Sequence, residues 1–189
     1  GRNVIADTQN TTMTQRPTRM DRIEDIANFL LRNEIKLATA ESCTAGLMVS
    51  ELARMPGSGA AIDCGLAVYS PQAKNRYLDV AYELIDEHGL TSEAVADAMV
   101  AGAIDNNDAN AAVANTGIAG PAAGPNGLEP GTVCLAWAVR RGETIHRFTE
   151  TRYFEGERND VRHGAAHYGL QRLVFYFDEV FSGHNPTAA

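Results

Sequence analysis

The order of apolar and breaker segments predicts an α/β protein: a three-layer α/β/α sandwich around a mixed, mostly parallel sheet, finished by a C-terminal hairpin and a terminal helix. Three observations carry this. Helix-period segments alternate with short apolar runs, two long β-rich runs stand side by side at Thr132 to Arg140 and Thr144 to Tyr153, and a last apolar-periodic segment follows them. At 189 residues and 44% apolar composition, the chain fits a single domain with a sizeable core. We expect a polar tail over 1–20, the folded domain over 21–180 and a second tail over 181–189.

The folded part opens on Asp21 and Glu24, spaced like a capping box, after which Ile23, Ile26, Ala27, Leu30 and Leu31 share a helical face. The apolar run Ile35 to Ala38 reads as a strand and feeds into Thr39-Ala40-Glu41-Ser42-Cys43-Thr44-Ala45-Gly46. A helix carrying Leu47, Met48, Leu52 and Met55 follows and stops at Pro56-Gly57. Ala61 to Tyr69 reads as a second strand, and Ser70-Pro71 starts a helix with Lys74 in its first turn. Thr91-Ser92-Glu93 introduces a helix that turns Val95, Ala98, Met99 and Gly102 inward and ends at Asn106-Asn107-Asp108. Ala111 to Asn115 is a short buried strand, whereas Thr116 to Gly127 is too rich in Gly and Pro to be the inside of an element. Gly142 makes the two long β runs a hairpin, and the last helix runs from about Asp160 to Phe177 with Ala166, Leu170, Leu173 and Phe177 at helical spacing. No internal repeat is present.

Composition narrows the function. A net charge of −8 disfavours non-specific nucleic-acid binding, which neutralises phosphates with Lys and Arg, so any phosphate site must be local. No apolar run reaches membrane-spanning length, and the Thr-rich stretch Gly1 to Met20 lacks the apolar core of a signal peptide. Cys43, Cys64 and Cys134 show no CxxC spacing, which suggests neither a disulfide framework nor a zinc site and makes the cytoplasm the expected compartment.

Three predicted strands end on hydroxyls: Ser42, Tyr69-Ser70 and Thr116. In open α/β sheets ligands gather at the carboxyl ends of strands, so these groups could converge on one cleft. Ser42 at a strand-to-helix junction reads either as an N-cap or as a nucleophile whose oxyanion would lie at the positive end of a helix. Lys74 reads either as a solvated surface charge or, if it folds back and loses solvent, as a base for the serine proton. The loop from Thr116 matches neither the Walker nor the dinucleotide pattern; it reads as a mobile loop or as a cradle for one phosphate. His163 and His167 are four apart but lack the intervening Glu of HExxH, so no metal is expected. Trp137, Phe175, Tyr176 and Phe177 read as core or oligomer contacts, and Arg158 as a surface residue or a clamp for an anionic substrate.

With these residues in hand, the chain resembles the CinA C-terminal domain family in its stand-alone form. The matching text is Thr39 to Thr44, Val68-Tyr69-Ser70 with Ala73-Lys74, Thr116-Gly117-Ile118-Ala119-Gly120-Pro121, Gly131-Thr132-Val133 and Gly156-Glu157-Arg158. The resemblance implies a nicotinamide-nucleotide amidase that converts nicotinamide mononucleotide to nicotinate mononucleotide and ammonia without metal or cofactor. It implies Ser42 as nucleophile, Lys74 and Tyr69 assisting its deprotonation, and Cys43, Thr44, Thr116, Gly117, Gly120 and Arg158 holding the substrate. The expected partner is a small nucleotide, not nucleic acid or a membrane, and the expected assembly is a homo-oligomer. A non-catalytic or altered-specificity relative that binds a nucleotide or protein, linked to competence or DNA damage, is the other class the resemblance allows. Two departures stand out. Ala45 replaces a usual Gly, putting a Cβ where backbone would approach ligand, and Glu129 stands where relatives often carry Lys, which would weaken binding of an anionic nucleotide.

Overall fold

The computed structural model describes residues 22–182. Helix α1 (Ile23–Arg32) buries Ile26, Ala27, Phe29 and Leu30; Asp21 of the expected capping pair lies outside the described residues, and the N-cap position falls on Arg22 with no side-chain bond. Strand β1 (Leu37–Glu41) is buried throughout and begins within the apolar run that predicts it. Then come α2 (Leu47–Ala53), β2 (Ile62–Ala67), α3 (Pro71–Leu78), α4 (Tyr82–His88), α5 (Glu93–Asp105) and β3 (Ala111–Gly117). The hairpin β4 (Thr132–Arg141) and β5 (Thr144–Tyr153) leads into α6 (Arg158–Ser182). Two helices start as local chemistry dictates: the hydroxyls of Ser70 and Ser92 accept the amides of Ala73 and Val95. Helix α4 buries no residue, so no apolar periodicity announces it.

The five strands form one mixed sheet in the order β2-β1-β3-β4-β5. Strand β1 pairs in parallel with β2 and β3, and the β3–β4 and β4–β5 pairs are antiparallel. Because side chains alternate along a strand, the sheet has two buried faces. Leu37, Val113, Leu135 and Trp137 pack against α1, α2 and α6, while Ala38, Ala40, Ala112, Ala114, Ala136 and Ala138 pack against α3 and α5. The alanine-paved side lets α5 lie close, and at Gly102 a Cβ would collide with the Leu78 carbonyl of α3. This is the three-layer α/β/α architecture expected, with the carboxyl ends of β1, β2 and β3 at one edge. Among the described residues no helix is long and apolar enough to cross a membrane.

Candidate active site

The carboxyl ends of β1 and β3 are locked together in register, Glu41 opposite Asn115, and the Ser42 amide donates to the Asn115 carbonyl at 3.1 Å. The chain does not enter α2 directly from Ser42. A tight turn intervenes, in which Ala45 (φ 50°) and Gly46 (φ 94°) adopt left-handed backbone and Gly46 occupies the N-cap position. Neither the capping role nor the helix-end position expected for Ser42 is therefore realised. Glu41 takes the capping bonds instead, its carboxylate accepting the amides of Met48 at 2.8 Å and Val49 at 3.4 Å.

Ser42 and Lys74 do converge. Lys74 sits in the first turn of α3, fully buried, and its Nζ donates to Ser42 Oγ at 2.9 Å, to the Val68 carbonyl at 2.8 Å and to the Tyr69 carbonyl at 3.0 Å. The surface reading of this lysine fails because Val68 and Tyr69, just after β2, turn their carbonyls to the ammonium in place of water. No carboxylate is among its bonding partners. Burial accordingly pushes its pKa down from 10.5 to about 8, against a small upward pull from Cys43.

A cleft of about 190 Å³ opens beside this pair, lined by Ser42, Cys43, Tyr69, Thr116 and Gly117, by the stretch from His88 to Thr91, and by Ile118, Pro125, Asn126 and Leu128. Tyr69 contributes its carbonyl to Lys74, while its half-exposed phenol accepts from Arg158 Nη2 at 3.1 Å rather than meeting Ser42. Thr116 faces the cleft with its hydroxyl proton given to the Leu90 carbonyl at 2.9 Å. Gly120 joins through its carbonyl, which accepts from Arg158 Nη1, so Arg158 ties the Tyr69 segment to the Gly-rich loop. Thr44 lies beneath the site, fully buried, and does not line the cleft; its hydroxyl donates to Glu41 at 2.7 Å. Ala45 and Glu129 are both exposed and outside the lining, so the Cβ expected against ligand points elsewhere and the acidic charge stands off the cleft.

Four residues not singled out from the sequence complete the arrangement. Glu41 and Asn115 form the buried floor, and His88 faces the cleft. Arg162 holds the turn after Ser42 from α6, donating from Nε to the Cys43 carbonyl at 3.0 Å and from Nη2 to the Thr44 carbonyl at 3.3 Å. Glu41 and Asn115 leave a trace in the sequence as polar ends on otherwise apolar strands. Arg162, one turn beyond Arg158, leaves a trace only in its spacing. His163 and His167 face a separate groove with Glu51 and Arg54.

The sequence profile described as CinA C-terminal domain matches residues 20–177. A CinA-like protein of Mycobacterium marinum is 43% identical over 140 residues, covering 74% of this chain and 32% of its own length. One of Mycolicibacterium gilvum is 47% identical over 126 residues, covering 67% of this chain and 29% of its own length. The chain thus spans about a third of the length of these curated relatives (32% of the first). Among solved structures, the competence damage-inducible protein A of Klebsiella pneumoniae superposes with TM-score 0.76 at 31% identity, covering 82% of this chain and 97% of that one. The competence/damage-inducible protein CihA of Agrobacterium tumefaciens gives 0.73 at 34%, covering 81% and 94%. Profile, relatives and fold agree, and the chain belongs to the CinA C-terminal domain family.

Proposed function

We propose that this chain is a serine amidase that hydrolyses the carboxamide of nicotinamide mononucleotide to nicotinate mononucleotide and ammonia. The observation that carries the reading is the buried Lys74 amine 2.9 Å from Ser42 Oγ, with no carboxylate to hold its proton. A desolvated lysine poised near neutral pH can take the serine proton without a histidine. Ser42 Oγ attacks the carboxamide carbon as its proton passes to Lys74 Nζ. The oxyanion is received by amides of the turn after Ser42, held in place by Arg162. Lys74 returns its proton to the departing nitrogen, ammonia leaves, and water activated by the neutral amine hydrolyses the acyl-Ser42 ester to the free acid. Arg158, at the cleft rim, is the cation for the nucleotide phosphate, and Tyr69 helps position it. The test is ammonia release from nicotinamide mononucleotide by the purified protein. Release that disappears in Ser42→Ala supports the reading; no release, or release that survives that substitution, overturns it.

A further inference from the structure

Beneath Ser42 runs a chain of hydrogen bonds whose direction is fixed at every link. The Glu41 carboxylate is fully buried and receives four donors: Thr39 Oγ1 at 2.9 Å, Thr44 Oγ1 at 2.7 Å, and the amides of Met48 at 2.8 Å and Val49 at 3.4 Å. An ionised carboxylate has no proton to give, so it accepts throughout. Thr44 therefore gives its single proton to Glu41 and can only accept on its other side, where Asn115 Nδ2 donates to it at 2.8 Å. That orients the Asn115 amide, turning Oδ1 towards Cys43, whose Sγ lies 3.4 Å away. An amide oxygen offers no proton, so sulfur must bring its own.

We propose that Glu41, Thr44 and Asn115 act as positioning residues that hold Cys43 as a neutral thiol beside the Ser42–Lys74 pair. This rests on the reading of Ser42 as nucleophile and Lys74 as base. Its chemical sense is electrostatic. Charged or titratable groups facing Cys43 are Arg162 from α6, Glu41 from β1 and Lys74 from α3, while Tyr69 and His88 share the cleft wall. A thiolate at Cys43 would form an ion pair with the Lys74 ammonium, keep its proton on it and compete with Ser42 for the substrate carbon. A thiol does neither. Burial acts in the same direction, holding the Cys43 thiol up at about 12.

The discriminating variant is Thr44→Val, which keeps the shape but removes the acceptor that orients Asn115. The amide is then free to turn Nδ2 towards sulfur, which favours the thiolate. Site-resolved mass spectrometry of iodoacetamide labelling, followed from neutral to strongly alkaline pH, reads Cys43 directly and needs no substrate. We expect wild-type Cys43 to show no labelling midpoint in the range of a free thiol. The Thr44→Val midpoint should lie at least about one pH unit lower, near tenfold more labelling at pH 8, and Thr44→Ser should restore the wild-type curve. In the amidase assay the acid limb of the kcat profile should move to higher pH in Thr44→Val with KM little changed. A free-thiol midpoint in the wild type, or a Thr44→Val curve unshifted in midpoint, overturns the proposal. Should Thr44→Val fail to fold, Thr44→Ala, which also lacks the acceptor for Asn115, takes its place: a lowered midpoint supports the proposal and an unshifted one overturns it. A protein that passes the labelling test yet releases no ammonia would reject the amidase reading and leave the hydrogen-bond chain standing.

Discussion

In the proposed mechanism Lys74 serves catalysis against stability. Folding lowers its pKa from 10.5 to about 8, so between those values the unfolded chain binds more protons and stability rises with pH. The cost is fully present below about pH 8. Lys74→Met, which has no charge to desolvate, should therefore lose its stability difference from wild type in a pH-dependent way, the gap shifting in favour of wild type as pH climbs towards 10.5 in denaturant titrations. In the same window kcat should rise through about pH 8 as the amine is uncovered, and Lys74→Arg should be inactive because guanidinium stays protonated. An active arginine enzyme would remove Lys74 as base. Ser42→Ala should cost on the order of 10³-fold in kcat. Its melting temperature should change little, since Ser42 caps no helix. Both residues can be picked out by type and spacing. What spacing could not convey is that Lys74 is wholly enclosed, because enclosure depends on Val68 and Tyr69 turning their carbonyls to it.

At the scale of elements, strands and helices are legible wherever apolar residues recur with a period, and least so where backbone conformation decides. The Ser42 junction is the case in point: a strand followed by a helix is readable, but the turn of two left-handed residues between them is not, since one is Ala rather than Gly. Ala45 at φ 50° is exposed and free of the cleft, so Ala45→Gly should raise stability by about 0.5–1 kcal/mol, measured by denaturant midpoint, without affecting KM. Helix α4 has no buried face and so carries no periodic signal. At the far end of the sheet, Glu150 of β5 ties the edge strand to α6 by accepting from Tyr168, Arg172 and Tyr176. Burial alone would raise its pKa, but these three donors outweigh it and hold it below 4.5. The stability this adds is present above the ordinary glutamate range and is lost as pH falls through the lowered value. Glu150→Gln should therefore unfold at a lower temperature at neutral pH and differ less from wild type in strong acid.

Across the whole molecule, a chain of net charge −8 binds an anionic substrate only where positive charge is concentrated. In the proposed function Arg158, at the start of α6, supplies that charge. Arg158→Ala should raise KM for nicotinamide mononucleotide about tenfold to a hundredfold, far more than for the phosphate-free nucleoside. Equal effects on the two substrates would show that Arg158 does not read the phosphate. Residue type and position leave Arg158 as a surface residue or an anion clamp, and the resemblance implies the clamp; the fold explains its reach, since the first turns of α6 lie beside the turn that follows β1 and the Gly-rich loop.

That placement of α6 has a temporal consequence. Ser42 and Lys74 meet through β1, β2 and α3, all from the first half of the chain, but Arg162 reaches the turn after Ser42, and Arg158 reaches Tyr69 and Gly120, only once α6 has docked. Because the N-terminal part of a chain emerges first during synthesis, the clamp on the turn after Ser42 and on the Tyr69 segment is the last part of the site to be made. If the site works as proposed, the onset of ammonia release on a ribosome would time the completion of the fold.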